Sequence, residues 1–397
     1  MSKIKPQRLK IVQIAWRFPP SIGGTEMVVY EISKELAQRG HEVMVITMDS
    51  EESHPTQTKQ KATSENFKVL RFKADVKIKS YELSLSLLNT LLKIPADILH
   101  AHGYSAFSTD AATLAARLRK IPLILTSHGS WGAKYPLSRL ILKFYDPFVW
   151  RCETLLASKC LALTEYHANI YLNMGVPKNR IEVVPNGINL KDYSIHLPTE
   201  TIIKKYNLRG KIISFIGVLG ERKGSVLVPL LKAFKDLSPD FPEAKIVIIG
   251  PDSYPDGYLS KLKYMVDSLG LNESVVFTGK LSEQDKIMLM SASSIGLVLS
   301  THEAFPLTSL EYMSLSKPII ASKVGGIPYI IKDGYNGLLV DNNSTSMKNS
   351  LRKLLSDPVF ANRLGKNGRQ LVKSKYNWKS VVDKLEKIYI QATLTRN

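Results

Sequence analysis

The chain has 397 residues and is 44% hydrophobic, a length that favours two domains and an apolar content sufficient for ordinary globular cores. Its net charge of +19 comes without zinc-finger spacing, a basic zipper or an aromatic–glycine RNA-binding motif, so we expect no nucleic-acid partner. No apolar run approaches the roughly 20 residues of a membrane-spanning helix, the apolar stretch near the start is too short for a signal peptide, and two cysteines are too few for a disulfide framework. We therefore expect a cytoplasmic chain.

Short apolar strands alternate with helices in the first half of the chain. The predicted strands are 9–15, 43–48, 98–100, 123–126, 160–163 and 181–184. A helix is predicted over 25–39, with Thr25 as its cap and Gly40 as its stop, because apolar residues recur there at helical spacing.

The second half repeats this scheme. Its predicted strands are 212–216, 245–249, 274–277, 295–299 and 318–321. Alternating strands and helices predict parallel sheets with helices on both faces, so we expect an α/β fold of two facing Rossmann-like domains joined near 190–200. Ligands of such sheets bind at the carboxyl ends of the strands, and the polar motifs of this chain do follow strands.

Glu303 and Glu311 form the most informative pair in the sequence. Glu303 follows a strand, and a helix predicted to start near Pro306 carries Glu311 in its early turns. The first-turn amides of residues 307–309 would point at one spot, which is an anion site that fits a diphosphate. Two carboxylates beside it can accept hydrogen bonds from ribose and hexose hydroxyls. The pattern predicts a nucleotide-sugar site.

Lys223 follows another strand, in "VLGERKG", where a cation could neutralise the charge that develops on a departing diphosphate. Gly23 and Gly24 follow the first strand and allow a ligand to approach the backbone closely. The full Gly-x-Gly-x-x-Gly fingerprint is absent, which argues against a nicotinamide enzyme.

Three histidines follow or end strands of the first half. His128 ends a strand in "LILTSHGS", at the expected cleft edge. His100 and His102 could suggest a metal site, but no third ligand is apparent, and polar packing is the favoured interpretation.

The chain resembles the retaining glycosyltransferases of family 4, which have the GT-B fold. The resemblance covers nearly the whole chain, through "RFPPSIGGTE", "ADILHAHG", "TSHG", "EVVPNGIN", the Lys-Gly of "GERKG", "VVFTGKLSE", the glutamate pair and "VGGIPYIIKDGYNGLLV". It implies an acceptor-binding domain over 1–195, completed by a returning helix over about 377–397. It also implies a nucleotide-sugar-binding domain over 196–376, with an interdomain cleft between the two.

The resemblance implies a role for each motif. Glu303 would contact the donor hexose near the reacting centre, Glu311 would bind the ribose hydroxyls, and His128 would contact the donor hexose or the acceptor. Lys223 would act without a metal, since the chain has no Asp-x-Asp motif, and no cofactor is expected. The other expected donor-site residues are Arg222, Gly250, Thr278, Gly279, Phe305, Leu307 and Thr308, and the expected acceptor or phosphate loop is Gly23 and Gly24.

The expected function is transfer of a hexose from a nucleoside diphosphate sugar to a hydroxyl acceptor with retention of configuration. A UDP-sugar is favoured over a GDP-sugar as the donor. Two departures from the family pattern favour an alternative, a catalytically degenerate nucleotide-sugar-binding protein. Val218 stands where relatives usually carry Arg, for which Arg222 is the expected substitute, and Tyr329 stands where relatives often carry an acid. A nucleotide-sugar epimerase or a phosphorylase on the same fold is a further alternative.

The segment 131–151 mixes aromatic, aliphatic and basic residues. It is interpreted either as a buried helix with a basic outer face or as a segment that docks on an anionic membrane. The second interpretation predicts a lipid-linked or other membrane-proximal acceptor and a peripheral position on the cytoplasmic face of a membrane.

Overall fold

The computed structural model describes residues 8–21, 23–49, 66–78, 81–104, 106–129, 151–193, 198–252 and 257–394. The chain divides into two compact units, the first comprising Met1–Gly187 with Trp378–Asn397 and the second Ile188–Asn377. The sequence places the first boundary later, after residue 195. The backbone explains the difference, because the Ile188 amide donates to the Tyr376 carbonyl at 2.7 Å and thereby ties the connecting segment to the second unit.

The first unit is built on a seven-stranded sheet in which every paired neighbour is parallel. Its strand order is β3-β2-β1-β6-β7-β8-β9, and strands β4 and β5 form a separate antiparallel hairpin. The strands are β1 Lys10–Ala15, β2 Glu42–Met48, β3 Lys68–Phe72, β4 Val76–Ile78, β5 Tyr81–Leu83, β6 Ile98–His102, β7 Leu123–Thr126, β8 Lys159–Ala162 and β9 Ile181–Val183. The helices are α1 Gly24–Gln38, α2 Leu85–Lys93, α3 Phe107–Arg119, α4 Arg151–Leu156, α5 Glu165–Asn173 and, from the end of the chain, a helix over Trp378–Leu394.

The second unit repeats the architecture with a six-stranded parallel sheet of order β12-β11-β10-β13-β14-β15. Its strands are β10 Ile212–Ile216, β11 Lys245–Ile249, β12 Val275–Gly279, β13 Ile295–Val298, β14 Ile319–Ser322 and β15 Leu338–Val340. Its helices are α6 Glu200–Lys205, α7 Glu221–Gly224, α8 Leu227–Leu237, α9 Tyr258–Ser268, α10 Glu283–Ala292, α11 Leu307–Ser314, α12 Ile327–Ile330, α13 Ser344–Ser356 and α14 Pro358–Lys375, which leaves α15 for Trp378–Leu394.

Each predicted strand is present with bounds within two residues, so the α/β prediction with parallel sheets in two domains is confirmed. The sequence missed β3 and β15, which lie at the sheet edges, and the hairpin β4–β5. Strand β15 is an apolar run of only three residues, and β3, β4 and β5 lack the continuous apolar run of a strand buried on both faces. Every residue of β3 stays partly or fully exposed, and every residue of β4 is exposed.

The first helix begins one residue earlier than predicted, and Thr25 is not its cap. The cap position belongs to Gly23, which makes no side-chain hydrogen bond there. Gly40 does follow the helix, with a φ of 93° that an L-residue adopts only with strain.

The terminal helix α15 packs against α1 within the first unit. It buries the apolar stripe of Trp378, Val381, Leu385 and Ile388. Arg39, just after α1, donates to Asp383 at 2.7 Å and to Glu386 at 3.0 Å, which adds ion pairs at the margin of this apolar contact. Within the described ranges, no helix combines the length and the apolar character needed to cross a membrane.

Candidate functional site

Three glycines bring the carboxyl ends of β10, β11 and β12 together in the second unit. The Gly217 amide donates to the Ile249 carbonyl at 2.9 Å, and the Gly250 amide donates to the Gly279 carbonyl at 3.0 Å. Gly250 has a φ of 139°, and a Cβ there would overlap the Gly217 carbonyl oxygen. Only glycine fits this position, so the loop predicted to approach the donor is held close to its neighbour by backbone alone.

Lys223 lies in the short helix α7, which begins after Gly220. Its aliphatic stem crosses Gly217, where a Cβ would come within 2.6 Å of Lys223 Cδ. Its Nζ lies 3.9 Å from Glu303 Oε2, and both side chains are less than a fifth exposed. Burial lowers the pKa of Lys223, and neighbouring Arg222 acts in the same direction, whereas Glu303 and Glu311 oppose the shift.

The Glu303 loop is anchored from two sides. On one side, Ser300 donates its amide to Ser322 Oγ at 3.1 Å, and Ser322 Oγ donates to Asn342 Oδ1 at 2.6 Å. On the other side, the Gly326 amide donates to the Glu303 carbonyl at 2.8 Å, and a Cβ at Gly325 would overlap the same carbonyl oxygen. The Gly-Gly pair after β14 therefore fixes the backbone that carries Glu303.

Glu311, in the early turns of α11, is held by two partners that the sequence analysis missed. Tyr193 donates its hydroxyl proton to Glu311 Oε1 at 3.0 Å, and Lys286 Nζ donates to the same oxygen at 2.9 Å. Burial opposes the charge on Lys286, but the attraction of Glu311 and Glu283 outweighs it and raises the pKa of Lys286. The second oxygen, Glu311 Oε2, is buried and has no partner among the described residues. An acceptor in that state favours a donor from a ligand.

The helix α11 starts at Leu307, directly after Pro306, as predicted. The prediction of three free first-turn amides is wrong for Ser309, whose amide donates to the Pro306 carbonyl at 3.0 Å. Leu307 and Thr308 remain as the donors that helix geometry leaves without an intrahelical acceptor. Phe305 is buried, with its ring 6.0 Å from that of Tyr376, so it supports the loop by packing.

Val218 is half exposed at the end of β10, and Arg222 is exposed on α7 beside Lys223. The Arg222 carbonyl accepts from the Thr301 amide at 3.0 Å, which links α7 to the Glu303 loop. Thr278 is partly buried at the end of β12, where its hydroxyl donates to the Gly279 carbonyl at 3.0 Å.

In the first unit, His128 lies two residues after β7 and has a φ of 54°, a left-handed conformation that is uncommon for a residue with a side chain. Its Nε2 lies 2.9 Å from His102 Nδ1, and the rings of His100 and His102 lie 3.9 Å apart. Both ring nitrogens of His100 and of His102 are engaged in hydrogen bonds, so polar packing describes these two residues.

Gly23 and Gly24 mark the N-terminus of α1, where Glu26 folds back. A Cβ at Gly23 would overlap the Glu26 carboxylate. Burial raises the pKa of Glu26, against the opposing effects of its own backbone amide and of Arg17. A carboxylate therefore already occupies the positive end of this helix.

Four contributing residues escaped the sequence analysis: Tyr193 and Lys286 beside Glu311, and Gln13 and Tyr389 beside the histidines. The sequence does indicate a polar contact at Gln13, because a glutamine inside the apolar strand "IVQIA" must find polar partners when it is buried. The other three lie in helices or connections with no motif around them. The predicted membrane-docking segment lies outside the described residues except for Arg151.

Two family models match the chain in succession. Glycosyltransferase Family 4 matches residues 22–192, and Glycosyl transferases group 1 matches residues 198–371. The chain is 26% identical to the D-inositol 3-phosphate glycosyltransferase of Corynebacterium glutamicum, covering 94% of this chain and 93% of the relative. It is 27% identical to the UDP-Gal:alpha-D-GlcNAc-diphosphoundecaprenol alpha-1,3-galactosyltransferase of Escherichia coli, covering 80% and 81%.

Among solved structures, HepE of Anabaena in complex with UDP superposes with a TM-score of 0.76 at 18% identity, covering 96% of this chain and all of that one. The UDP-glucose complex of the same protein gives a TM-score of 0.75 at 17% identity. These likenesses show the fold. Together with the two family models, they identify the chain as a glycosyltransferase of family 4 with the GT-B fold.

Proposed function

We propose that the protein transfers a hexose from a nucleoside diphosphate sugar to a hydroxyl acceptor, with retention of configuration and without a metal. The observation that carries the proposal is the arrangement of Lys223, Glu303 and Glu311 at one sheet edge of the second unit. It combines a largely buried cation 3.9 Å from one carboxylate with a second carboxylate, one buried oxygen of which has no partner among the described residues.

Each group has a task in donor binding. Glu311 Oε2 accepts a hydrogen bond from a ribose hydroxyl, because it is a buried acceptor to which no residue in the described part of the chain donates. The Leu307 and Thr308 amides at the start of α11 bind diphosphate oxygens. Burial destabilises the charged form of Lys223, and the negative charge of a bound diphosphate stabilises it again. Arg222, which is exposed, adds a second cation.

The reaction follows from same-face attack. The bond between the anomeric carbon and the departing phosphate oxygen breaks, and its electron pair stays on the diphosphate. The acceptor oxygen bonds to the anomeric carbon, and its proton moves to the departing phosphate oxygen. Lys223 stabilises the charge that develops on the diphosphate, and Glu303 stabilises the positive charge that develops on the hexose.

UDP-sugars are the favoured donors. The superposed HepE structures contain UDP and UDP-glucose, and the E. coli relative is named for UDP-Gal. For the acceptor, the Glu26 carboxylate at the start of α1 favours a hydroxyl compound over a phosphate at the Gly23–Gly24 loop. A lipid-linked or membrane-proximal acceptor at the cytoplasmic face of a membrane stays part of the proposal.

The experiment that tests this function is release of UDP from UDP-hexoses with a panel of hydroxyl acceptors. Glu303→Gln should lower turnover about 10²–10³-fold, the usual effect of removing one group that stabilises transition-state charge. The matched control is Glu273→Gln, an exposed carboxylate at the opposite edge of the same sheet, which should keep the wild-type rate. Equal rates in wild type and Glu303→Gln would contradict the proposed site.

One observation favours a second candidate, a nucleotide-sugar-binding protein without turnover. Val218 places an exposed apolar side chain at the end of β10, where a bidentate guanidinium contact would otherwise reach a phosphate. Val218→Arg separates the two candidates. If the wild type binds a UDP-sugar without turnover and Val218→Arg gains turnover, the second candidate is correct.

A further inference from the structure

A buried chain of polar side chains runs through the core of the first unit and ends at His128. Its members are contributed by three strands and the terminal helix, and each is at most 4% exposed. They are Gln13 of β1, His100 and His102 of β6, Thr126 of β7 and Tyr389 of α15. Buried polar groups of this kind must satisfy one another, so the hydrogen-bond directions can be worked out.

Gln13 sets the direction. Its Nε2 donates to the Tyr389 hydroxyl at 3.1 Å, a distance normal for N–H···O. The amide nitrogen therefore faces Tyr389, and Gln13 Oε1 faces His102 Nε2 at 2.6 Å. Since a carbonyl oxygen only accepts, His102 carries its proton on Nε2.

The proton position on His102 determines the hydrogen-bond direction at His128. Burial lowers the pKa of His102 well below its usual value, so its ring is neutral and its Nδ1 is an acceptor. His128 Nε2 lies 2.9 Å from that nitrogen and must donate to it. Burial and repulsion by His167 also lower the pKa of His128, so its ring is neutral. His128 Nδ1 is then bare, and no described residue donates to it.

The other end of the chain agrees with this direction. The Tyr389 hydroxyl accepts from Gln13 and donates to His100 Nδ1 at 2.6 Å. His100 Nε2 then carries the proton and donates to Thr126 Oγ1 at 2.8 Å. The hydrogen-bond directions at Gln13, Tyr389, His100 and His102 are therefore mutually consistent with a His128 that has its proton on Nε2.

We propose that Gln13, His102 and Tyr389 are positioning residues that hold His128 in the Nε2–H tautomer, so that Nδ1 is presented as an acceptor for a ligand hydroxyl. A bare Nδ1 binds a hydroxyl, which can donate, and repels a phosphate oxygen, which only accepts. The inference rests on the proposed function for the identity of that hydroxyl, on the donor hexose or on the acceptor. The tautomer itself is independent of any substrate.

The test is the tautomeric state of His128 in the full chain, read from the nitrogen shifts of ¹⁵N-histidine-labelled protein and assigned with His128→Gln. His41 is an internal reference, because the Leu9 amide donates to His41 Nδ1 at 3.2 Å and places the His41 proton on Nε2. We expect the Nε2–H form at both residues. A His128 with its proton on Nδ1 would overturn the proposal.

Two variants test the role of the buried polar side chains that lead to His128. Gln13→Leu removes both hydrogen bonds of the amide, and Tyr389→Phe removes one hydroxyl and lets the Gln13 amide turn over. Both should convert the single His128 tautomer into a mixture, while His41 keeps its wild-type signal. Tyr389→Phe carries the test if Gln13→Leu does not fold. A His128 spectrum that stays wild type in the folded variants would overturn the proposal. Because no substrate is needed, failure of the proposed transfer reaction leaves this result readable.

Discussion

The chemistry of Lys223 depends on its surroundings. Its stem crosses Gly217, and its ammonium lies near Glu303 with little access to water. Burial lowers the pKa of Lys223, so the folded protein holds its proton less firmly than the unfolded chain does. Between the lowered folded pKa and the unfolded value of about 10.4, the unfolded state binds more protons, and this group makes stability rise with pH.

A bound diphosphate should reverse that shift. Two phosphate charges beside Lys223 raise its pKa, so UDP binding should take up protons at alkaline pH and take up none through this group at neutral pH. Calorimetry in buffers of different ionisation enthalpy measures the uptake. Lys223→Met should abolish it and weaken binding, whereas Lys280→Met, at an exposed lysine just after β12, should leave the proton uptake intact. Alkaline UDP binding without proton uptake would contradict the role given to Lys223.

The sequence predicted the site residues that sit in motifs, and it missed those that act on them from elsewhere. Glu303, Glu311 and Lys223 each follow a strand, so strand prediction alone places them at one sheet edge. Tyr193 and Lys286 reach Glu311 from a connecting segment and from α10. Such contacts depend on the angles at which elements pack, which hydrophobic periodicity does not encode.

At the scale of elements, the Gly325–Gly326 turn after β14 supports the backbone of the Glu303 loop. Gly325 has a φ of 52°, and its Cα faces the Glu303 carbonyl without room for a methyl group. The Gly326 amide binds the same oxygen at 2.8 Å. The position of the Glu303 backbone therefore depends on a turn that makes no direct use of side chains.

Gly325→Ala should displace that loop. Its strain of about 1–2 kcal/mol in the left-handed region comes with an overlap on the Glu303 carbonyl, so both stability and hexose turnover should fall. Gly334→Ala is the matched control, because Gly334 has a φ of 70° but open space around its Cα. Gly334→Ala should lose a similar amount of stability to backbone strain and keep its turnover. Thermal unfolding measures the effect on stability, and UDP release measures the effect on turnover. Equal turnover in the two variants would show that the Gly325–Gly326 turn does not position the Glu303 loop.

At the scale of the whole molecule, the last helix completes the first unit. The helix α15 closes the core beside α1, ties Arg39 to Asp383 and Glu386, and supplies Tyr389 to the buried chain that ends at His128. Its place in the first unit was implied only by the family resemblance, because periodicity identifies a buried face without identifying what covers it.

Two leucines on α15 test how much stability this helix contributes. Leu385 is 1% exposed and Leu394 is 67% exposed, so the same substitution probes a buried and a free position on one helix. Leu385→Ala should lower the free energy of unfolding of the first unit by about 2–5 kcal/mol. Leu394→Ala should change it by no more than about 0.5 kcal/mol. Denaturant unfolding measures both, and equal losses would show that the helix is not docked as described.

We propose a metal-free site for a nucleotide sugar in the second unit, and nucleotide binding is its sharpest test. Thermal shift and calorimetry with UDP, GDP, ADP and their hexose conjugates, with and without EDTA, should select UDP and its sugars and be insensitive to EDTA. Glu311→Gln should weaken UDP about 10–100-fold, the loss of one hydrogen bond to a charged group, whereas Glu283→Gln, which shares Lys286 but is mostly exposed, should bind like wild type. Absence of binding by every nucleotide, or equal affinity in wild type and Glu311→Gln, would contradict the account.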